Sequence, residues 1–128
     1  MLATPKPKQR LPRAAILRWR REFEEVRARG QRHTSRLFIL NWLLEEKNSR
    51  RFGIIVPKPI GTAVVRNYVK RCCREAYRRI QNDLPEKLTS IWIARHNSAK
   101  ASYEEIFSEM TLAYQKAGLF SKTSGEAK

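Results

Sequence analysis

Ile60-Gly61-Thr62-Ala63-Val64-Val65-Arg66-Asn67-Tyr68-Val69-Lys70-Arg71-Cys72-Cys73-Arg74-Glu75-Ala76-Tyr77-Arg78-Arg79-Ile80 is the stretch from which the rest of the chain can be read. Wound as a helix at about 100° per residue, it puts Val65, Val69, Cys72, Ala76 and Ile80 on one narrow arc, the stripe of a helix that buries one side. Arg66, Asn67, Lys70, Arg71, Arg74 and Arg78 fall on the opposite arc. Glu75 is the only acid in the stretch, so i, i+4 pairing cannot neutralise that face. A merely solvated surface is the plainer reading of any charged helix face. Here the cations form a connected run of one sign with an amide side chain inside it, which points to an anionic partner.

Outward from this helix, the whole composition leans the same way. The 128 residues suit one domain with a single core. Lys and Arg number 27 against 12 acids, a net charge of +15, which favours a polyanion, most often nucleic acid. No apolar run approaches the ~20 residues of a spanning helix, and the basic N-terminus lacks the apolar core of a signal peptide. A cytoplasmic protein with no membrane association is expected. Cys72 and Cys73 are the only cysteines. Neighbours cannot form an ordinary structural disulfide, and two thiolates are too few for a zinc site, so free, partly buried thiols are expected.

Residues 1–12, rich in Lys, Pro and Arg, read as a loose basic arm, and 119–128 as a disordered tail, leaving 13–118 as one domain. From about Ala14 to Arg29, Ile16, Trp19, Phe23 and Val26 recur at helical spacing, and Gly30 follows as a candidate C′ residue. Residues 31–34 fit a short edge strand. Leu37–Leu44 is apolar on both parities, as a strand covered on both faces would be. Residues 45–49 read as a polar hairpin turn, and Arg51–Val56 as an antiparallel return ended by Pro57 and Pro59. The central helix runs to about Asn82, Ser90–Arg95 is a further strand, and Ser102 with Glu105 makes the capping-box spacing of a last helix ended by Gly118. The order α-β-β-β-α-β-α predicts an α+β fold, a two-layer sandwich of helices on a mostly antiparallel sheet.

Catalytic chemistry is scarce. Asp83 is the only aspartate, the glutamates fall on helix surfaces or in turns with no D-x-D-like pair to hold Mg²⁺, and neither histidine has an evident partner. No phosphate-binding loop or nucleophile elbow occurs. Guanidinium and ammonium groups on a rigid face are instead what phosphates need, and single-stranded RNA also needs flat surfaces on which bases stack. Phe23, Phe38 and Trp42 are candidates for such stacking, with ordinary core packing as the alternative.

At Arg66-Asn67-Tyr68-Val69-Lys70-Arg71-Cys72-Cys73-Arg74-Glu75 the sequence resembles the protein subunit of bacterial ribonuclease P, whose signature is an R-N-x-x-K-R-x-x-R-E helix. Gly61 and Ala63 before the helix fit the same pattern. So do Glu22-Phe23-x-x-Val26 with Gly30, Arg51-x-Gly53 with Val56-x-Lys58, and Ile93-Ala94-Arg95, over roughly residues 10–117. The resemblance implies an α/β sandwich with a left-handed βαβ crossover, against the general handedness rule. It implies two RNA partners, the catalytic ribonuclease P RNA and precursor tRNA, whose 5′ leader the ribonucleoprotein removes. The endoribonuclease active site and its Mg²⁺ would lie on the RNA, with no activity in the polypeptide alone and no obligate protein partner evident. Carried over by position, Arg66, Asn67, Lys70, Arg71 and Arg74, extended by Arg78, would hold the catalytic RNA. Phe23, Arg27, Phe38, Lys58 and Arg95 are the candidates for a leader cleft.

The chain also departs from the family pattern. Arg27 stands where a second aromatic is frequent, Asn41 where a cleft tyrosine is common, Pro59 where a lysine is usual, and Cys73 in place of an aliphatic residue. Weaker base stacking and stronger phosphate attraction are expected. A structural RNA-binding protein of ribosomal type shares the charge and size, but has no reason to repeat the motif spacing. A DNA-binding helix module lacks its helix-turn-helix partner, and a stand-alone metal nuclease lacks its ligands.

Overall fold

The computed structural model describes residues 20–45 and 50–120. The expected arm at 1–12, the beginning of the first helix and most of the 45–49 turn lie outside these residues, as do 121–128. The elements are α1 (Arg20–Arg29), β1 (Gln31–Thr34), β2 (Phe38–Leu44), β3 (Arg51–Ile55), α2 (Ala63–Ile80), β4 (Leu88–Ala94) and α3 (Tyr103–Lys116). Their order is the one the sequence predicts.

The sheet runs β1-β2-β4-β3. β1 with β2 and β2 with β4 are antiparallel, whereas β3 and β4 are parallel. This corrects the expected β2–β3 hairpin. β4 is buried at almost every position, and a strand apolar on both faces belongs in the middle of a sheet. It enters between β2 and β3 and takes the ladder positions a hairpin would have used. Parallel pairing of β3 with β4 requires a long crossover, and α2 provides it.

Strand alternation divides the apolar residues between two faces. On one face Phe38, Leu40, Phe52, Leu88 and Trp92 meet Val69, Cys73, Ala76 and Tyr77 of α2 and Ile106, Met110 and Tyr114 of α3. Phe52 and Tyr77 stack with ring centroids 4.3 Å apart. The Tyr114 hydroxyl sits 2.7 Å from Ser90 Oγ and accepts from Trp92 Nε1 at 2.9 Å, so these core polar groups satisfy one another. On the other face α1 sets Val26 against Ile91, with Phe23, Leu43, Ile55 and Ile93 around them.

The buried arc of α2 is wider than the predicted stripe. Cys73 and Tyr77 are fully buried while Val65 is only half-buried, because α2 packs against the sheet on one side and α3 on the other. Both cysteines are free and buried. Thr62 caps the helix by accepting from Val65 N–H at 3.3 Å. The Ser102–Glu105 capping box of α3 is formed in both directions. At the far end Gly118 takes φ 75°, and Leu119 donates to Tyr114 O at 3.0 Å. Leu119 is buried and Phe120 half-buried against the core, so packed structure continues beyond the expected end at 118.

Candidate nucleic-acid interface

The core fixes α2 from behind, which leaves its basic arc as a rigid surface. Asn67, Arg71 and Arg74 are exposed, and Arg66, Lys70 and Arg78 half-buried. Glu75 pairs with Arg78, and Arg66 Nε folds back to donate to Gly61 O at 3.2 Å. The first turn contains no acid, so the positive end of the helix adds to the same field. Arg79 lies outside the basic arc. Its guanidinium covers the Phe107 ring at 4.4 Å and donates to Tyr103 Oη at 3.2 Å, pinning α2 to α3. Tyr68 donates to Ala101 O at 2.9 Å. A hydrogen bond with the Cys72 side chain, reinforced by burial, raises its phenol above the ordinary value, so Tyr68 stays neutral beside the cations.

A second surface lies on the opposite face of the sheet. α1 covers only part of that face, leaving a groove of about 410 Å³ lined by Glu24, Arg27, Ala28, Arg32, Asn41 and Ile93. Of the predicted cleft residues, Arg27 is in the lining, and Phe23 is half-buried on the sheet-facing side of the same helix. Arg32 and Asn41 are directly paired across β1 and β2. Arg32 was not singled out from the sequence. Its signal is the cross-strand register, which appears only once β1 is placed on β2.

Ion pairs fix the wall of this groove at both ends of α1. Arg51 reaches Glu22 in two-pronged fashion, Nη1 to Oε2 at 2.8 Å and Nη2 to Oε1 at 3.2 Å. Arg29 Nη1 bridges Glu25 at 2.6 Å and Glu45 at 2.8 Å. The hydrogen bonds to Glu45 and then Glu25 raise its already high pKa. Gly30 turns the chain between α1 and β1 because nothing larger fits. A Cβ there would sit 2.3 Å from Trp42 O. The expected C′ role is thus a matter of close backbone approach, since among the described glycines only Gly118 takes the left-handed φ of a helix C′ residue.

Lys58 and Arg95 are exposed at the end of the sheet where β3 and β4 finish. Arg95 Nη1 donates to Ser35 O at 2.6 Å. Phe38 must be reassigned. It is wholly buried on the α2–α3 side, edge-on to Trp92 at 5.7 Å, and offers no face to a base. Trp42 packs half-buried against the same core. Both parities of β2 are apolar, so the sequence could not show which one faces the groove.

Among the described residues no three His, Cys, Asp or Glu side chains gather as a metal site. No described helix is long and apolar enough to cross a membrane.

Comparison with known proteins gives one consistent result. The Ribonuclease P family profile matches residues 11–118. The ribonuclease P protein component of Syntrophomonas wolfei is 32% identical over 116 residues, 91% of this chain and 98% of that protein. That of Clostridium novyi is 35% identical over 101 residues, 77% of this chain and 89% of the relative. Among solved structures, an RNase P protein from Staphylococcus aureus aligns with TM-score 0.78 at 24% identity, covering 84% of this chain and 99% of that one. The RNase P protein from Thermotoga maritima aligns with TM-score 0.69, covering 77% and 94%. The same architecture is thus found in both. With the profile spanning nearly the whole described fold and the motif helix on its exposed face, the chain belongs to the ribonuclease P protein component family.

Proposed function

We propose that this ribonuclease P protein subunit assists tRNA 5′ maturation in the cytoplasm by holding two stretches of RNA on opposite sides of its sheet. The arc Arg66, Asn67, Lys70, Arg71, Arg74 and Arg78 lies along the catalytic RNA. The α1 groove, with Phe23, Arg27 and Arg32, takes the 5′ leader of precursor tRNA, and Lys58 and Arg95 extend its cationic rim. Mg²⁺ and the hydrolytic step belong to the RNA in this reading. The protein contributes affinity and orientation, neutralising phosphates that would otherwise repel as the leader approaches.

One observation carries the reading. The family motif occupies a single solvent-facing arc of a helix clamped by sheet and α3, where guanidinium groups are preorganised for phosphates. Arg27 and Asn41 in the groove favour phosphate and hydrogen-bond contacts over stacking, with the half-buried Phe23 the aromatic nearest at hand.

The test is reconstitution. Purified protein is mixed with a bacterial ribonuclease P RNA at low Mg²⁺, and 5′ maturation of a precursor tRNA is followed. The expected result is rescue of cleavage by the natural chain and weaker rescue by Arg66→Ala/Arg71→Ala. Absence of rescue with general RNA binding intact would overturn the proposal in favour of a structural RNA-binding role.

A further inference from the structure

A second concavity, about 440 Å³, opens beside the N-terminus of α3, on the other side of the sheet end from the groove. Its size is within the ~300–1,000 Å³ of ordinary small-ligand sites. Ile60 and Ala99 give it apolar surface, Arg36 and Lys100 positive charge, Asn97 an amide and Glu105 a carboxylate. Its frame is well tied. Arg95 N–H donates to Leu37 O at 2.9 Å, and Ser98 N–H and Oγ donate to Arg95 O at 2.9 and 2.8 Å. Tyr68 holds Ala101 O from α2. The Ser102 amide donates to Glu105 Oε1 at 2.8 Å, which fixes that carboxylate and leaves lone pairs on both of its oxygens with which to accept.

We propose that this pocket binds a guanosine 5′-phosphate unit, with phosphate on Arg36 and Lys100, the base against Ile60 and Ala99, and its edge on Glu105. A site for phosphate alone would not include a carboxylate, and a site for a cation would not include Arg36 and Lys100. A nucleotide joins the two requirements, an anion and a flat base with donors on its edge. Among the four RNA bases, guanine alone presents adjacent ring N–H and amino donors, which match a carboxylate. The place is also connected to the groove. Ile93 lines the groove and His96 the pocket, with exposed Arg95 between them on one continuous segment. A strand leaving the groove over Arg95 arrives here, so the inference deepens the RNA-binding reading above and rests on it.

The experiment is amide NMR of the full chain titrated with 5′-GMP, 5′-UMP, inorganic phosphate, and the RNA pentamers AAGAA and AAUAA. GMP is expected to shift Asn97, Ala99 and Lys100 and to bind about tenfold tighter than UMP, the worth of one charged hydrogen-bond pair. Glu105→Gln, which keeps a capping-box residue, should abolish that preference. Arg36→Ala/Lys100→Ala should weaken every ligand. Tighter binding of AAGAA than of GMP identifies a strand as the source, and the reverse identifies the free nucleotide. Equal shifts with inorganic phosphate, or shifts confined to Arg32 and Asn41, would overturn the proposal. A chain that rescues cleavage but ignores GMP fails here alone. A chain that binds GMP but does not rescue cleavage overturns the two-surface reading and leaves the pocket standing.

Discussion

Tyr77 buries its hydroxyl without a hydrogen-bond partner among the described residues, while its ring stacks on Phe52. An unsatisfied buried hydroxyl costs ~1–3 kcal/mol, so Tyr77→Phe should leave stability unchanged or raise it by about 1 kcal/mol. Urea unfolding checks this, and a clear loss would show that the hydroxyl finds a partner in solution. Gly30→Ala acts in the opposite direction. The new Cβ would meet the Trp42 and Val26 carbonyls at 2.3 and 2.6 Å, and main-chain atoms in two elements cannot yield as a side-chain tip can. A loss of about 1–3 kcal/mol is expected in the same assay, and an unchanged midpoint would refute the close approach. Gly30 is legible in the sequence as the end of a helix. The reason only glycine fits is not, because the obstructing carbonyl arrives from a strand twelve residues further on. Phe38 shows the same limit. Its apolar character is plain in the sequence, but the face it occupies depends on which layer covers β2.

At the scale of elements, periodicity predicts best where a single face is buried. α2 was legible because apolar and basic residues separate cleanly at 3.6-residue spacing, and the capping box of α3 because its two residues are local. The arrangement of β3 was not, since no local feature tells a strand whether its neighbour precedes it or comes from beyond α2. The groove was half legible. Arg27 could be placed on α1, but Arg32 needed the β1–β2 register. The clean separation on α2 also yields a measurable consequence. Arg71 is exposed at the middle of the basic arc, without a role in the core. In the proposed function, replacing it with alanine removes one phosphate contact and little else. Binding of the catalytic RNA should weaken at all salt concentrations, and the slope of log K against log salt should become shallower by about 1. An unchanged slope would take Arg71 out of the interface.

For the whole molecule, the apolar interior and the cationic exterior set opposite demands on pH. Outside, +15 of net charge suits a polyanion and opposes compactness. Inside, burial pushes the Cys73 thiol well above its ordinary value, with the neighbouring Cys72 adding to the effect. Burial also raises the Tyr114 phenol, and that of Tyr77 despite the opposing charge of Arg50. All three groups are neutral when protonated, and the folded chain keeps those protons longer than the unfolded chain does. Their contribution is fully present below the unfolded pKa values and declines above them, because the unfolded state then binds fewer protons. Stability should therefore begin to fall above about pH 8.5, where a free thiol titrates, and more steeply above about pH 10, where free phenols join it. Each group adds a slope of about 1.4 kcal/mol per pH unit within its window. Loss of lysine charge relieves surface repulsion over the same range with the opposite sign, so the natural chain alone does not isolate the buried groups. Cys73→Ala does. It keeps the surface unchanged and removes the first group to titrate, so its stability, measured by urea unfolding between pH 7 and 10, should decline later than that of the natural chain. Parallel curves for the two chains would mean that Cys73 reaches water in the native state, and that the core behind the basic helix is looser than its packing shows.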